Sequence, residues 1–193
     1  MRPPSLTQRA HAVLREVLRP GDRAIDATAG NGGDSLFLAE AVGPTGHVVA
    51  FDTQAAALAR TRERLAAAGI DRVELRQECH SLLAAWNPAE TGTIRGVMFN
   101  LGYLPGGDHT LVTRPETTRV ALDAAARLLA PGGRITIVVY RGHPGGEAES
   151  EMVEAWLGTL AADRFTSRRE GGAVPAVGSV ETTPWLAIVE RQR

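Results

Sequence analysis

The chain has 193 residues, 44% of them hydrophobic and 22% charged, which fits one domain with a core of its own and excludes a disordered chain. The net charge of −1 excludes a general electrostatic pull onto nucleic acid or an anionic membrane, so a nucleic-acid partner would need a local basic patch. The lone cysteine, Cys79, excludes an intramolecular disulfide and fits a reducing, cytoplasmic setting. The opening residues are amphipathic and lack the apolar run of a signal peptide. No apolar stretch is long enough to span a bilayer, so no membrane partner is expected.

The elements follow a strand, turn, helix rhythm. Residues 5–19 carry Leu6, Ala10, Val13, Leu14 and Val17 at helical spacing. A short strand at 23–28 runs into a glycine-rich turn, then a helix at 33–42. The nearly continuous apolar run at 47–52 suits a strand covered on both faces. An alanine-rich helix at 54–68 ends at Gly69, a third strand takes 72–77, a short helix 79–86, and a fourth strand 94–100. A helix at 116–129 is expected to stop at Pro131-Gly132-Gly133, before a strong strand at 134–140. A helix at 146–162 and strands at 165–170 and 183–190 complete the chain. This alternation predicts an α/β fold: a single domain over residues 1–193 with one doubly wound, mostly parallel, seven-stranded sheet. Ligands of such sheets bind beyond the carboxyl ends of the strands at the switch point, here 26–34, 52–54, 77–80 and 100–108.

The first of these segments runs from Asp26 through Gly30, Asn31 and Gly33 to Asp34. Glycines let a backbone approach a ligand closely, and a helix start offers unpaired N–H donors. The bland alternative is a tight turn with a capped helix. Asp52 closes the next strand, about 20 residues on, where an acid can accept both hydroxyls of a ribose. A dinucleotide fingerprint requires a third glycine where Ser35 stands, and Asp26 and Asp34 would repel a pyrophosphate. The same carboxylates suit the ammonium and sulfonium charges of S-adenosylmethionine. The reading is therefore a Rossmann-like class I methyltransferase fold, with a methyltransferase of another RNA or a small amine, a non-catalytic adenosine-ligand sensor and a dehydrogenase as competitors. Glu78, Cys79 and His80 fall where the adenine would lie, Glu78 or His80 on the base edge and Cys79 as packing. His80 as a plain helix-start residue is the alternative. No metal-ligand spacing is present.

The fourth strand ends in Asn100, with Tyr103 three residues on, a partial match to the Asn/Asp-Pro-Pro-Tyr pattern of amino-methylating enzymes that lacks both prolines. An amine nucleophile must aim its lone pair at the methyl while its N–H bonds find acceptors. Asn100 can supply one, and Tyr103 a face for a flat base. A structural Asn in a glycine-rich loop is the alternative. His143, after the fifth strand, is a candidate proton acceptor, or a residue that only shapes the pocket. Arg114, Arg119, Arg141 and the Arg168-Arg169 pair are candidate phosphate donors, though for any one of them solvated surface charge is the stronger reading.

The segments DATAGNGGDSLFLA, AFDTQ, QECH and FNLGYLPGGD, the Thr117-Thr118 pair and YRGHPGGE-x-E together resemble the rRNA-methylase family of small bacterial proteins, from about Thr7 to Val189. The resemblance implies N-methylation of 5-aminomethyl-2-thiouridine at the tRNA wobble position, giving the 5-methylaminomethyl form. It implies S-adenosylmethionine as cofactor, a tRNA anticodon loop as partner and a homodimer as assembly. It puts Asn31, Asp34, Asp52, Gln54 and His80 on cofactor positions, and Asn100, Tyr103, Asp108 and His143 in substrate-side motifs. Cys79 stands where relatives often have Ser, and Thr28 replaces the first glycine of the general methyltransferase pattern.

Overall fold

In the computed structural model of the chain, the described residues are 3–86, 91–104, 106, 110–172 and 183–193. Seven strands form one sheet in the order β3-β2-β1-β4-β5-β7-β6. They are β1 (Arg23–Asp26), β2 (His47–Phe51), β3 (Val73–Arg76), β4 (Ile94–Leu101), β5 (Leu129–Val139), β6 (Phe165–Gly171) and β7 (Trp185–Arg191). The first five run parallel to one another, and β7 runs antiparallel to both β5 and β6. The order reverses between β1 and β4, which places the crevice beyond their carboxyl ends.

The helices are α1 (Leu6–Arg15), α2 (Gly33–Val42), α3 (Ala55–Ala67), the short α4 (Leu83–Trp86), α5 (Pro115–Leu128) and α6 (Gly146–Thr159). A single 3₁₀ turn, His80–Leu82, leads into α4. Side-chain alternation along the strands feeds two cores. On one face, Val97, Phe99 and Leu101 of β4 pack with Leu122 of α5 and Trp156 of α6. On the other, Met98 packs with Leu14 of α1 and Leu38 of α2. Ser5 and Gln8 start α1 with reciprocal bonds, the Ser5 hydroxyl accepting the Gln8 backbone N–H at 3.2 Å and the Gln8 side-chain Oε1 accepting the Ser5 N–H at 2.9 Å. No helix among the described residues is long and apolar enough to cross a membrane.

The order of elements matches the sequence expectation, with one correction. Pro131-Gly132-Gly133 does not separate helix from strand. β5 begins at Leu129, which pairs with Ile94, and resumes at Arg134, which pairs with Gly96, so residues 130–133 bulge opposite Arg95. The bulge needs its glycines: Gly132 has φ +73°, and a Cβ on Gly133 would lie 2.9 Å from the Ala130 carbonyl oxygen.

Candidate active site

The carboxyl ends of β1, β2, β4 and β5 open on a cavity of about 780 Å³, within the range of small-molecule and cofactor sites. Its walls include Gly30, Asn31, Gly33 and Asp34 after β1, Asp52 and Gln54 after β2, and Cys79 and His80 after β3. Asn100 and Tyr103 follow from β4, with Arg141 and His143 beyond β5. The segments that sequence spacing assigned to a crevice therefore converge on one. Asp108 lies outside the described residues.

The turn after β1 is tight because Gly32, at φ +77°, caps α2 in the left-handed region, where a Cβ would come within 2.8 Å of Thr61 Cα. Asp52 braces this turn from the next strand. Its Oδ2 accepts the Gly30 N–H at 2.9 Å and its Oδ1 the Gln54 N–H at 2.9 Å. Each oxygen keeps acceptor capacity for a further donor. Asn31 Oδ1 accepts from Arg60 at 3.1 Å.

Two of the acids expected to touch the ligand do not line the cavity. Asp26 is fully buried beneath it, accepting the Ser35 hydroxyl at 2.6 Å and the Thr28 N–H at 3.1 Å. Burial first, and then the nearby Asp34 charge, push its carboxyl up to about 7. Ser35 thus has a structural reason to stand where a dinucleotide turn has glycine: its hydroxyl answers Asp26. Glu78 turns away to Arg76 at 3.5 Å and is no part of the cavity wall. Its neighbours Cys79 and His80 do face the cavity. His80 is buried, and desolvation pulls its imidazole down to about 4, so it is neutral at physiological pH and hydrogen-bonds Thr118 Oγ1 at 3.3 Å.

Asp34 lines the cavity but is already engaged on both oxygens. Oδ1 bonds His11 Nε2 at 2.6 Å, and Oδ2 accepts the Asn100 side-chain amide in a short contact. The Asn100 backbone N–H donates to Thr28 Oγ1 at 2.7 Å, tying the end of β4 to the end of β1. The Asn100 side-chain oxygen, by contrast, is buried and has no hydrogen-bond partner among the described residues. Buried acceptors are rarely left alone, so such an atom points to a missing donor.

His143 Nε2 is another such acceptor, also at the cavity. Nδ1 lies 3.0 Å from the Pro144 carbonyl, which only accepts, so Nδ1 carries the proton and Nε2 presents a lone pair when the ring is neutral. Tyr103 meets the His143 ring edge-on at 6.2 Å. Tyr103 and Tyr140, the only tyrosines of the chain, are 39% and 41% exposed at the cavity mouth.

Arg141, expected as a phosphate donor, is held from within the chain. Its side chain is only 10% exposed, donates to Ser150 Oγ at 2.7 Å and pairs with Glu154 at 3.5 Å, so it ties the β5–α6 loop to α6. Arg119, Arg168 and Arg169 are likewise paired, with Asp123, Glu170 and Glu154. Arg114 is exposed at the cavity rim, and its guanidinium has no partner among the described residues.

Sequence reasoning missed the support beneath the β4 loop. Glu149 of α6, fully buried, accepts the hydroxyls of Thr113 at 2.5 Å and Thr118 at 2.6 Å. Thr113 in turn accepts the Gly102 N–H at 2.9 Å. Burial raises the Glu149 carboxyl above its usual range. The Thr117-Thr118 pair and the E-x-E end of the last motif carried this network in the sequence, without a spacing that reveals it. His11 left no local signal at all. No cluster of metal-ligating side chains exists among the described residues.

A mostly parallel seven-stranded sheet with this crevice defines a Rossmann-like class I methyltransferase fold. Within it, the chain belongs to the family described as "Putative rRNA methylase", whose sequence model matches residues 48–171. It is 36% identical to the solved structure of a "putative rRNA-methylase" from Clostridium thermocellum, with a TM-score of 0.88, covering 99% of this chain and 100% of that one. A second solved structure, a "putative methyltransferase" from Streptococcus mutans in complex with SAH, is 34% identical with a TM-score of 0.83, covering 98% and 99% of the two chains. Among curated proteins, the chloroplastic tRNA (mnm(5)s(2)U34)-methyltransferase of Arabidopsis thaliana is 45% identical over 159 residues. That match takes in 78% of this chain and spans 58% of the relative's length.

Proposed function

We propose that the chain is an S-adenosylmethionine-dependent N-methyltransferase acting on the primary amine of 5-aminomethyl-2-thiouridine at the tRNA wobble position. The observation that carries this reading is the Asn100 side-chain oxygen, a buried acceptor without a partner among the described residues, at the end of β4 on the cavity wall. Support for the cofactor comes from the glycine turn, the spare acceptor capacity of Asp52 and the cavity size, together with the SAH-bound relative from Streptococcus mutans. Support for tRNA over rRNA comes from the name of the Arabidopsis relative.

On this reading Asp52 accepts the ribose hydroxyls, Gly30, Asn31 and Gly33 approach the amino-acid part, and Gln54, Cys79 and His80 border the adenosine. When bound, the cofactor would supply a methyl group on its sulfonium sulfur, the S–CH3 bond breaking as the N–CH3 bond forms and leaving a neutral thioether. Asn100 Oδ1 accepts one N–H of the neutral amine, which orients the nitrogen lone pair in line with the methyl. Transfer would leave the amine nitrogen with an extra proton. His143 Nε2 receives that proton. Tyr103 stacks on the base, and Arg114 meets a phosphate at the rim. Asp26, Asp34 and Arg141 position the turn, Asn100 and the β5–α6 loop without touching the ligands.

The test is labelled-methyl transfer to tRNA carrying the aminomethyl group, beside free nucleoside and rRNA fragments. Nucleoside mass spectrometry should find the methylaminomethyl product from tRNA. Label in rRNA alone, or cofactor binding without turnover on any amine, would replace this reading.

A further inference from the structure

We infer that His11, in α1 and remote from every motif of the site, is a positioning residue that fixes the Asn100 carboxamide through Asp34. The inference rests on the proposed amine-methylating role of Asn100. The His11 ring stacks on Phe37 of α2, with centroids 4.0 Å apart and planes 8° from parallel, so its orientation is set by packing. Phe37 lies one turn beyond Asp34 on the same helix. The stack therefore aims His11 Nε2 at Asp34 Oδ1, at 2.6 Å.

A carboxylate only accepts hydrogen bonds, so His11 Nε2 and Asn100 Nδ2 are both donors here. The consequence is a choice of amide face. With Nδ2 held by Asp34, the free atom of Asn100 is the acceptor Oδ1; the reversed amide would press Oδ1 against a carboxylate oxygen and offer N–H groups to an amine. Asp34 can impose that choice only while its own carboxylate plane is fixed. Its Oδ2 bond reaches the group being oriented, and its Oδ1 bond reaches His11, which packing anchors. Asp34 is buried, so losing the His11 donor leaves a poorly solvated oxygen and frees the carboxylate to rotate.

His11→Phe keeps the stack and removes the donor; His11→Gln restores a donor without the ring. For His11→Phe, kcat with aminomethyl tRNA should fall about tenfold, in keeping with the loss of one oriented hydrogen bond. KM for cofactor and for tRNA should stay within about twofold, and His11→Gln should recover most of the loss. In an Asn100→Ala background, adding His11→Phe should change kcat less than about twofold, because both act through one chain of contacts. Independently of turnover, the Asn100 side-chain NH2 resonance of the free protein should lie downfield in wild type and His11→Gln and move upfield in His11→Phe. His11→Met, which also lacks a donor, replaces His11→Phe if that variant does not fold. An unmoved Asn100 resonance, or a full tenfold loss on top of Asn100→Ala, overturns the inference. Wild-type protein inactive on every amine would instead sink the proposed function, with the resonance still deciding the His11 contact.

Discussion

The two walls of the crevice are built to opposite rules. On the β1–β2 side the acids are answered from within the chain: Asp26, beneath the wall, by Ser35 and Thr28, and Asp52, on it, by Gly30 and Gln54. On the β4–β5 wall two acceptors, Asn100 Oδ1 and His143 Nε2, have no partner among the described residues. An orphaned buried acceptor costs roughly 1–3 kcal/mol, which a fold tolerates where an incoming group supplies the donor. The two walls divide the labour. The first wall holds its shape without a ligand, and on the proposed reading the second is completed by the nucleophile.

Variants on the two walls should therefore separate chemistry from binding. The largest effect is expected from Asn100→Ala, which should cut kcat about 100-fold by releasing the amine from its line of attack. Its affinity for SAH, read by calorimetry, should stay within about threefold; a large loss of affinity would erase the contrast. Asp52→Ala should do the reverse, weakening SAH about 10- to 100-fold through lost charge-assisted bonds. It should also lower Tm, because the Gly30 and Gln54 N–H groups lose their acceptor. His143→Ala should lower kcat about tenfold at neutral pH, with the deficit shrinking at higher pH as solvent takes the proton. A deficit that does not change with pH would leave His143 as a shape-giving residue only.

The smallest effect concerns stability alone. Asp26 has its carboxyl raised from 3.8 to about 7 by burial, so the folded state holds a proton that the unfolded state has lost. The stabilisation is fully present below about pH 3.8 and is lost as pH rises towards about 7. Asp26→Asn removes that titration. Its Tm relative to wild type should climb between pH 4 and pH 8, by about 2–4 °C for each kcal/mol released. A pH-independent difference would mean that Asp26 does not carry the buried proton.

The same division explains what the sequence made legible. Strand ends announce themselves through apolar runs that stop at Asp26, Asp52 and Asn100, so the sheet and its crevice were readable from periodicity and one topological rule. What a carboxylate does at its strand end was not readable, because contact with a ligand or with the chain depends on partners distant in sequence. Asp34 illustrates this: its partners His11 and Asn100 lie 23 and 66 residues away. Glu78 followed a strand end as Asp52 does, yet a neighbouring arginine at Arg76 claimed it. The bulge at 130–133 was hidden because Pro-Gly-Gly signals a stop equally well whether the chain leaves the sheet or only steps out of register.

The most direct test of the central claim is a crystal of this chain soaked with SAH and an aminomethyl-uridine nucleoside. Both ribose hydroxyls should lie on Asp52, with the sulfur facing the end of β4 and the amine nitrogen within hydrogen-bond distance of Asn100 Oδ1. An empty crevice, or an amine bound with Asn100 turned away, would contradict that claim.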